Sequence, residues 1–181
     1  MPMEALTYAE QTLKPEISRA ACGQTGLGEI YDAHAGAVYR LLLALLGAAA
    51  DAQDALSETF LNLARQDLRR IRSPRAYLLT SARRQALLLL RRRRRETPAD
   101  PADFQFFEAK TLDPEKLLFA QHIEAALLTL PIEQREVIVL KVYEGMTFAE
   151  IAKITKMRPN TIASRYRYAI EKLREMLREE E

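Results

Sequence analysis

Met146-Thr-Phe-Ala-Glu-Ile-Ala-Lys-Ile-Thr-Lys-Met-Arg-Pro-Asn-Thr-Ile-Ala-Ser-Arg165 decides how the chain folds. Thr147 is placed to cap a short helix, and Glu150, at its third position, can complete a capping box. Ile151 and Ile154 recur at helical spacing, with small Ala152 where two helices must approach closely. The Met157-Arg158-Pro159 turn then opens a last helix whose apolar stripe is Ile162, Tyr166, Ala169, Leu173 and Leu177. This is the pattern of a helix-turn-helix. The stripe leaves Arg158, Asn160, Thr161, Ser164, Arg165 and Arg167 near the exposed N-terminal end of that helix. A helix entering the major groove presents its first turns to base edges, where short polar residues and Arg belong. The N-terminal dipole and free amides also favour a nearby phosphate. A capped surface hairpin with solvated charges is the bland alternative.

Outward from this stretch, helical periods predict helices over Glu115–Leu128 and Ile132–Tyr143 before the short helix Phe148–Thr155, and a last helix over Pro159–Glu180, punctuated by Pro131 and Gly145. In the first half, Ile30, His34, Val38, Leu41, Leu42 and Leu45 define one apolar stripe of a helix ended by Gly47. A second helix is expected from about Asp51, as N-cap, to Gln66, with Ala52, Ala55, Leu56, Thr59, Phe60 and Leu63 facing inward. A third starts at Ser73-Pro74, a cap followed by a first-turn proline, and runs to the arginine block Arg91–Arg95. Residues 96–113 carry Pro98, Pro101 and several acids without a helical period, although Phe104, Phe106 and Phe107 make them stickier than a plain spacer. The fold class is therefore all-α: two small helical domains, of three and four helices, joined by a flexible linker. The boundaries are an extension over 1–27, a first domain over 28–95, the linker over 96–113 and a second domain over 114–181.

Leu, Ala, Arg and Glu dominate the 181 residues and Gly is scarce, a mixture that favours helix. The single cysteine, Cys22, excludes an internal disulfide framework and suits a reducing compartment. Met1–Leu13 holds acids and no apolar run, and the longest apolar stretch, Leu41–Ala50, is far below the roughly 20 residues that span a bilayer. A cytoplasmic protein without membrane insertion is expected. Net charge is only +2, but it is unevenly spread. Residues 28–95 hold 13 Lys or Arg against 6 Asp or Glu, residues 96–113 hold 1 against 5, and residues 114–181 balance at 11 each. No Gly-rich phosphate loop or metal-ligand spacing occurs, and neither His34 nor His122 has an acid or nucleophile constellation around it. The expectation is a non-enzyme with no cofactor, no metal and no small-molecule substrate.

The elements Leu130-Pro131, Gln134-Arg135-Glu136, Glu144-Gly145, Glu150-Ile151-Ala152, Thr161-Ile162, Ser164-Arg165 and Leu173-Arg174 together resemble region 4 of the sigma-70 superfamily, specifically its extracytoplasmic-function group. The resemblance implies that the helix from Pro159 reads a −35 promoter element. The first domain resembles region 2 of the same group, in the right order. Asp51-Ala-Gln-Asp-Ala-Leu-Ser-Glu-Thr-Phe60 looks like the segment that docks on the clamp helices of the polymerase β′ subunit. That implies a polymerase-binding set of Asp51, Asp54, Ser57, Glu58 and Leu61. Ser73-Pro-Arg-Ala-Tyr-Leu-Leu-Thr-Ser-Ala-Arg-Arg-Gln-Ala-Leu-Leu-Leu-Leu-Arg91 looks like the helix that contacts the −10 element. The corresponding set is Tyr77, Arg83, Arg84, Leu88, Arg91, Arg92 and Arg95. Implied partners are the RNA polymerase core (β′ clamp helices and β flap), promoter DNA and an anti-sigma factor.

The chain departs from the pattern at several of these positions. The group usually has Asn where this chain has Arg84, often an acid at Leu88, Trp at Tyr77 and commonly Gln at Ser57. In the second domain Ala163 is often basic and Tyr168 often Arg. In the first domain polar readers of an extruded base are thinned while phosphate binders are kept or increased; in the second, both changes remove phosphate contacts that the resemblance implies. Tyr77 either stacks on a base or packs in the core. Two other functions stay open: a non-transcribing sigma mimic that sequesters an anti-sigma factor, and a plain helix-turn-helix regulator that binds duplex DNA without polymerase.

Overall fold

The computed structural model describes residues 26–96, 123 and 125–179. These residues are all helix and connection, with no strand among them, and they group into two units, one over 26–96 and one over 123–179. The 1–27 extension up to residue 25, the linker read over 96–113 apart from Glu96, which is helical, Cys22, His122 and most of the expected Glu115–Leu128 helix lie outside the described residues.

The first unit is built around α1 (Leu27–Leu46). Every residue from Leu41 to Leu46 is buried, so the last turns of α1 have no solvent face and must be covered on all sides. Helices α2 (Ala49–Ala64) and α3 (Pro74–Glu96) cover them, and each packs on α1 and on the other. Ala52, Ala55, Ala82 and Ala86 are buried at these contacts, where small side chains let the backbones approach. Gly47 ends α1 in the left-handed region at φ 71°, its N–H donating to the Leu43 carbonyl at 2.8 Å. The αL geometry is what lets α2 start two residues later. Ser73 caps α3 as its pattern predicts: its hydroxyl accepts from the Ala76 N–H at 3.3 Å, and Pro74 is the first helical residue.

One cap is corrected. Asp51 is not the N-cap of α2; Ala48 is, and Asp51 is the third helical residue. Ala49 and Ala50 are strong helix formers, so the helix extends back past the only side chain that advertised a start. The Asp51 carboxylate instead pairs with the Arg93 guanidinium on α3. Its charge still suits the positive end of the helix. The end of α2 also moves: it stops at Ala64, and a short 3-10 turn at Leu68–Arg70, capped by Asp67, carries the chain to α3.

In the second unit, residues 125–129 are helical and lead through Leu130 and Pro131 into α4 (Ile132–Ile138). The expected continuous helix Ile132–Tyr143 is in fact α4 followed by a π-helical turn over Val139–Tyr143. Val137 through Leu140 are all buried, then Tyr143 and Glu144, more side chains than one α-helical stripe can face inward. The turn closes with the Met146 N–H on the Leu140 carbonyl at 3.0 Å, around Gly145 at φ 62°. Arg135 is buried and donates from Nη2 to the carbonyls of Leu128 at 2.6 Å and Leu130 at 3.0 Å. It thereby satisfies carbonyl groups left open where the 125–129 helix ends. Burial pulls its pKa below the usual arginine value, the cost of desolvating the cation.

Helix α5 (Phe148–Thr155) begins with the predicted capping box: Thr147 Oγ1 accepts from the Glu150 N–H at 3.2 Å, and Glu150 Oε2 accepts from the Thr147 N–H at 2.8 Å. Lys156 turns the chain at φ 58°, and α6 runs Pro159–Glu179. Ile151, Ile154, Ile162, Ala169 and Leu173 are buried between α4, α5 and α6. The helix-turn-helix is present in the order and with the buried side that its sequence specified.

Candidate nucleic-acid interface

Helix α6 owes its exposed face to the depth of its stripe. Ile162 and Ala169 are completely buried and Tyr166 packs on Phe148, ring centroids 5.6 Å apart, so rotation about the helix axis is fixed. Arg158, Asn160, Thr161 and Arg167 are then exposed, while Ser164 and Arg165 are half-buried. Residues 158, 161 and 165 fall on one face at helical spacing, and 160, 164 and 167 on the adjoining one. Ser164 donates back to the Thr161 carbonyl at 3.0 Å. The Arg165 guanidinium rests 2.9 Å from the Met157 sulfur, a weak acceptor that a phosphate or a base edge can readily displace. Arg167 stacks over the exposed Tyr168 ring at 5.3 Å.

In the first unit, the outward side of α2 places Asp54, Ser57 and Leu61 in solvent. Leu61 is 53% exposed, an apolar side chain with no packing role at that level. Glu58 is half-buried and accepts from Asn62 Nδ2 at 3.2 Å, and the Ser57 hydroxyl donates to the Gln53 carbonyl at 3.0 Å. Asp51 stands apart from this group, since its carboxylate is engaged by Arg93. Two acids, one hydroxyl and one apolar anchor share a strip with Leu61 at its end. Such a strip can pair with a basic, partly apolar helix surface.

Along α3, Arg84, Arg91 and Arg92 are exposed, Arg83 is half-buried and Leu88 is 41% exposed. The side chain of Arg95 lies outside the described part of the helix. Residues 84, 88 and 91 follow one another at spacings of four and three, so the face combines two cations with a central apolar side chain. Tyr77 is half-buried and lines an open cleft with Gln66, Arg70, Arg72 and Ser73. No sequence motif singles out these cleft arginines; the run of Arg residues between 65 and 75 is their signal, diluted because no helical period carries it. An exposed Tyr31, 46% accessible, sets its ring 4.7 Å from that of Phe60 at a tilt of 58°, a contact that no sequence motif marks.

No helix among the described residues is long and apolar enough to cross a membrane. Comparison with known proteins places these features in context. Residues 30–96 match the family model described as Sigma-70 region 2, and residues 120–173 match that described as Sigma-70, region 4. The chain is 33% identical over 171 residues to the ECF RNA polymerase sigma factor SigL of Mycobacterium tuberculosis strain H37Rv, covering 90% of this chain and 96% of that protein. Among solved structures it is similar to the sigma factor RpoE in complex with the anti-sigma factor NepR from Bartonella quintana, at 26% identity and a TM-score of 0.67, covering 80% of this chain and 91% of the other. A likeness of fold extends to CnrH in complex with the cytosolic domain of CnrY, at 19% identity and a TM-score of 0.61, covering 97% and 96% of the two chains.

Proposed function

The chain belongs to the sigma-70 family, in its extracytoplasmic-function group, and from that premise we propose how its two units direct RNA polymerase to promoters. The first unit, over residues 28–95, holds the core enzyme and the −10 element; the second, over 114–181, reads the −35 element; residues 96–113 tether them. The exposed first turns of α6 are the observation that carries this reading, because a buried or occluded leading end could not enter a groove.

Each role follows from the chemistry of a face. Asp54, Ser57, Glu58 and Leu61 offer negative charge and an apolar anchor to the basic β′ clamp helices. Asp51 contributes by holding α2 against Arg93 of α3. Arg158, Asn160, Thr161, Ser164, Arg165 and Arg167 face duplex DNA from α6, and the β flap holds this unit. Arg83, Arg84, Arg91, Arg92 and Arg95 grip phosphates around the −10 element. Five such contacts would lose roughly five-hundredfold in affinity between 50 and 200 mM salt. Leu88 and Tyr77 meet bases, and the open cleft beside Tyr77 supports a stacking role for its ring.

Magnitudes divide the labour. Stacking one extruded base on an aromatic ring contributes roughly 1–3 kcal/mol. Opening about ten steps at a mean of about 1.4 kcal/mol each costs on the order of 14 kcal/mol. The chain nucleates melting and the polymerase completes it. A tether lets each weak grip raise the effective concentration of the other. The protein acts in the cytoplasm, catalyses no reaction of its own, and is held in check by an anti-sigma factor, a partner of the kind bound in the similar RpoE structure.

The test is a core-polymerase pull-down with the full chain, followed by mapping of the transcripts it starts. Discrete start sites that depend on the protein support the proposal. Tight anti-sigma binding without transcripts would assign a sigma mimic, the reading that Arg84 and Leu88 favour; duplex binding without core affinity would assign a plain regulator.

A further inference from the structure

Lys156 is the one residue other than glycine with a positive φ among the described residues, at φ 58° and ψ 38°. It closes α5, its N–H bonded to the Ala152 carbonyl, and it makes the turn of the helix-turn-helix. A Cβ in this region crowds the neighbouring carbonyl, which is why glycine or asparagine usually ends a helix this way. The lysine side chain does not repay that crowding within the fold. It is exposed, and no acid pairs with it among the described residues. A strained residue that the fold itself does not require points to a use outside the fold.

The charge around it says which use. From Ile151 to Ile170 the chain carries Lys153, Lys156, Arg158, Arg165 and Arg167 and not a single Asp or Glu. The second unit as a whole is balanced, so this acid-free stretch is a local departure confined to the helix-turn-helix. Lys153, Lys156, Arg158 and Arg167 are all exposed. Uncompensated cations at this density repel one another unless a polyanion lies against them. Lys156 stands on the turn, off both helices. On a duplex whose groove α6 entered, its ammonium would reach the rim and not the base edges within.

We propose that Lys156 is a phosphate-contacting residue of the second unit, holding the DNA backbone beside the groove read by α6, and that this contact is the reason a lysine occupies a left-handed position. The inference rests on the reading that this unit binds duplex DNA. It adds a contact that carries charge but no sequence preference.

The test compares the full chain with Lys156→Asn, Lys156→Gly, Lys156→Arg and Arg165→Ala on a labelled 30-base-pair duplex of random sequence, by anisotropy across a KCl series, with thermal unfolding in parallel. Asn and Gly both accept the left-handed region without the charge, so each keeps or raises the unfolding midpoint, Gly by a few degrees. Both lower affinity by about fivefold to tenfold near 0.1 M salt and reduce the salt slope by about 0.9. Lys156→Arg keeps affinity and slope. Wild-type binding by Asn and Gly variants, with Arg165→Ala still weakened, overturns the Lys156 contact and leaves the DNA-binding reading intact. Equal binding by wild type and Arg165→Ala overturns both. A lower midpoint for Lys156→Gly overturns the account of why lysine is there.

Discussion

Arg135 shows how a single buried charge can be structural in a protein rich in exposed cations. It is buried, it bonds the carbonyls of Leu128 and Leu130, and no solvent competes for those bonds. Arg135→Met keeps most of the aliphatic volume and strands two carbonyls. A loss of about 2–4 kcal/mol is expected, read as a lower midpoint of urea or thermal unfolding. Gly47→Ala acts through the backbone, because φ 71° is strained for any residue with a Cβ although nothing stands within 4 Å of the position. A loss of about 1 kcal/mol is expected, with no change in the exposed face of α6. At this scale the sequence is legible where local chemistry is self-contained. Ser73 and Thr147 cap the helices that follow them because their acceptors lie three residues away. Asp51 could not be read the same way, because its partner is Arg93, distant in sequence and brought near only by the packing of α2 on α3.

Helices carry the next level of explanation. The capping box at Thr147 and Glu150 fixes where α5 starts, and the left-handed turn at Lys156 ends it ahead of α6. Thr147→Ala removes one side of that box and is expected to cost about 1 kcal/mol, visible as faster amide exchange in α5. The outer face of α2 is governed by exposure: Asp54→Lys with Leu61→Ala leaves the core untouched, so unfolding is unchanged while affinity for core polymerase falls at least tenfold. An unchanged core affinity in that double variant would remove α2 from the docking surface. Apolar periodicity located every helix among the described residues except the turn at Leu68–Arg70, which is too short to hold a period. It also missed the π-helical turn at Val139–Tyr143, because a run of consecutive apolar residues fits a helix of either winding. The α6 face was legible since its stripe is strict; the cleft beside Tyr77 was not, since it forms where a connection folds back on a helix.

At the scale of the whole molecule the division of charge becomes intelligible. Residues 28–95 carry a surplus of cations, with 13 Lys or Arg against 6 Asp or Glu, and the exposed ones lie on α3 and on the connection before it. The second unit is neutral in sum and basic only around its helix-turn-helix. Under the proposed function, two modest grips on one duplex, each dependent on salt, give a promoter-specific complex only when both engage, and the polymerase supplies the geometry that lets them. The central claim is that the two units hold separate parts of one promoter while the first also holds the enzyme. It is tested most directly by placing a photo-crosslinking side chain at Tyr168 in one variant and at Arg92 in another, then mapping the crosslinks on a promoter taken from the mapped transcripts. With core polymerase present, the two positions should mark two stretches of the same duplex more than one helical turn, about 10 base pairs, apart. Without core polymerase the paired pattern should vanish. Crosslinks from both positions to a single stretch, or the same paired pattern from the protein alone, would contradict the account.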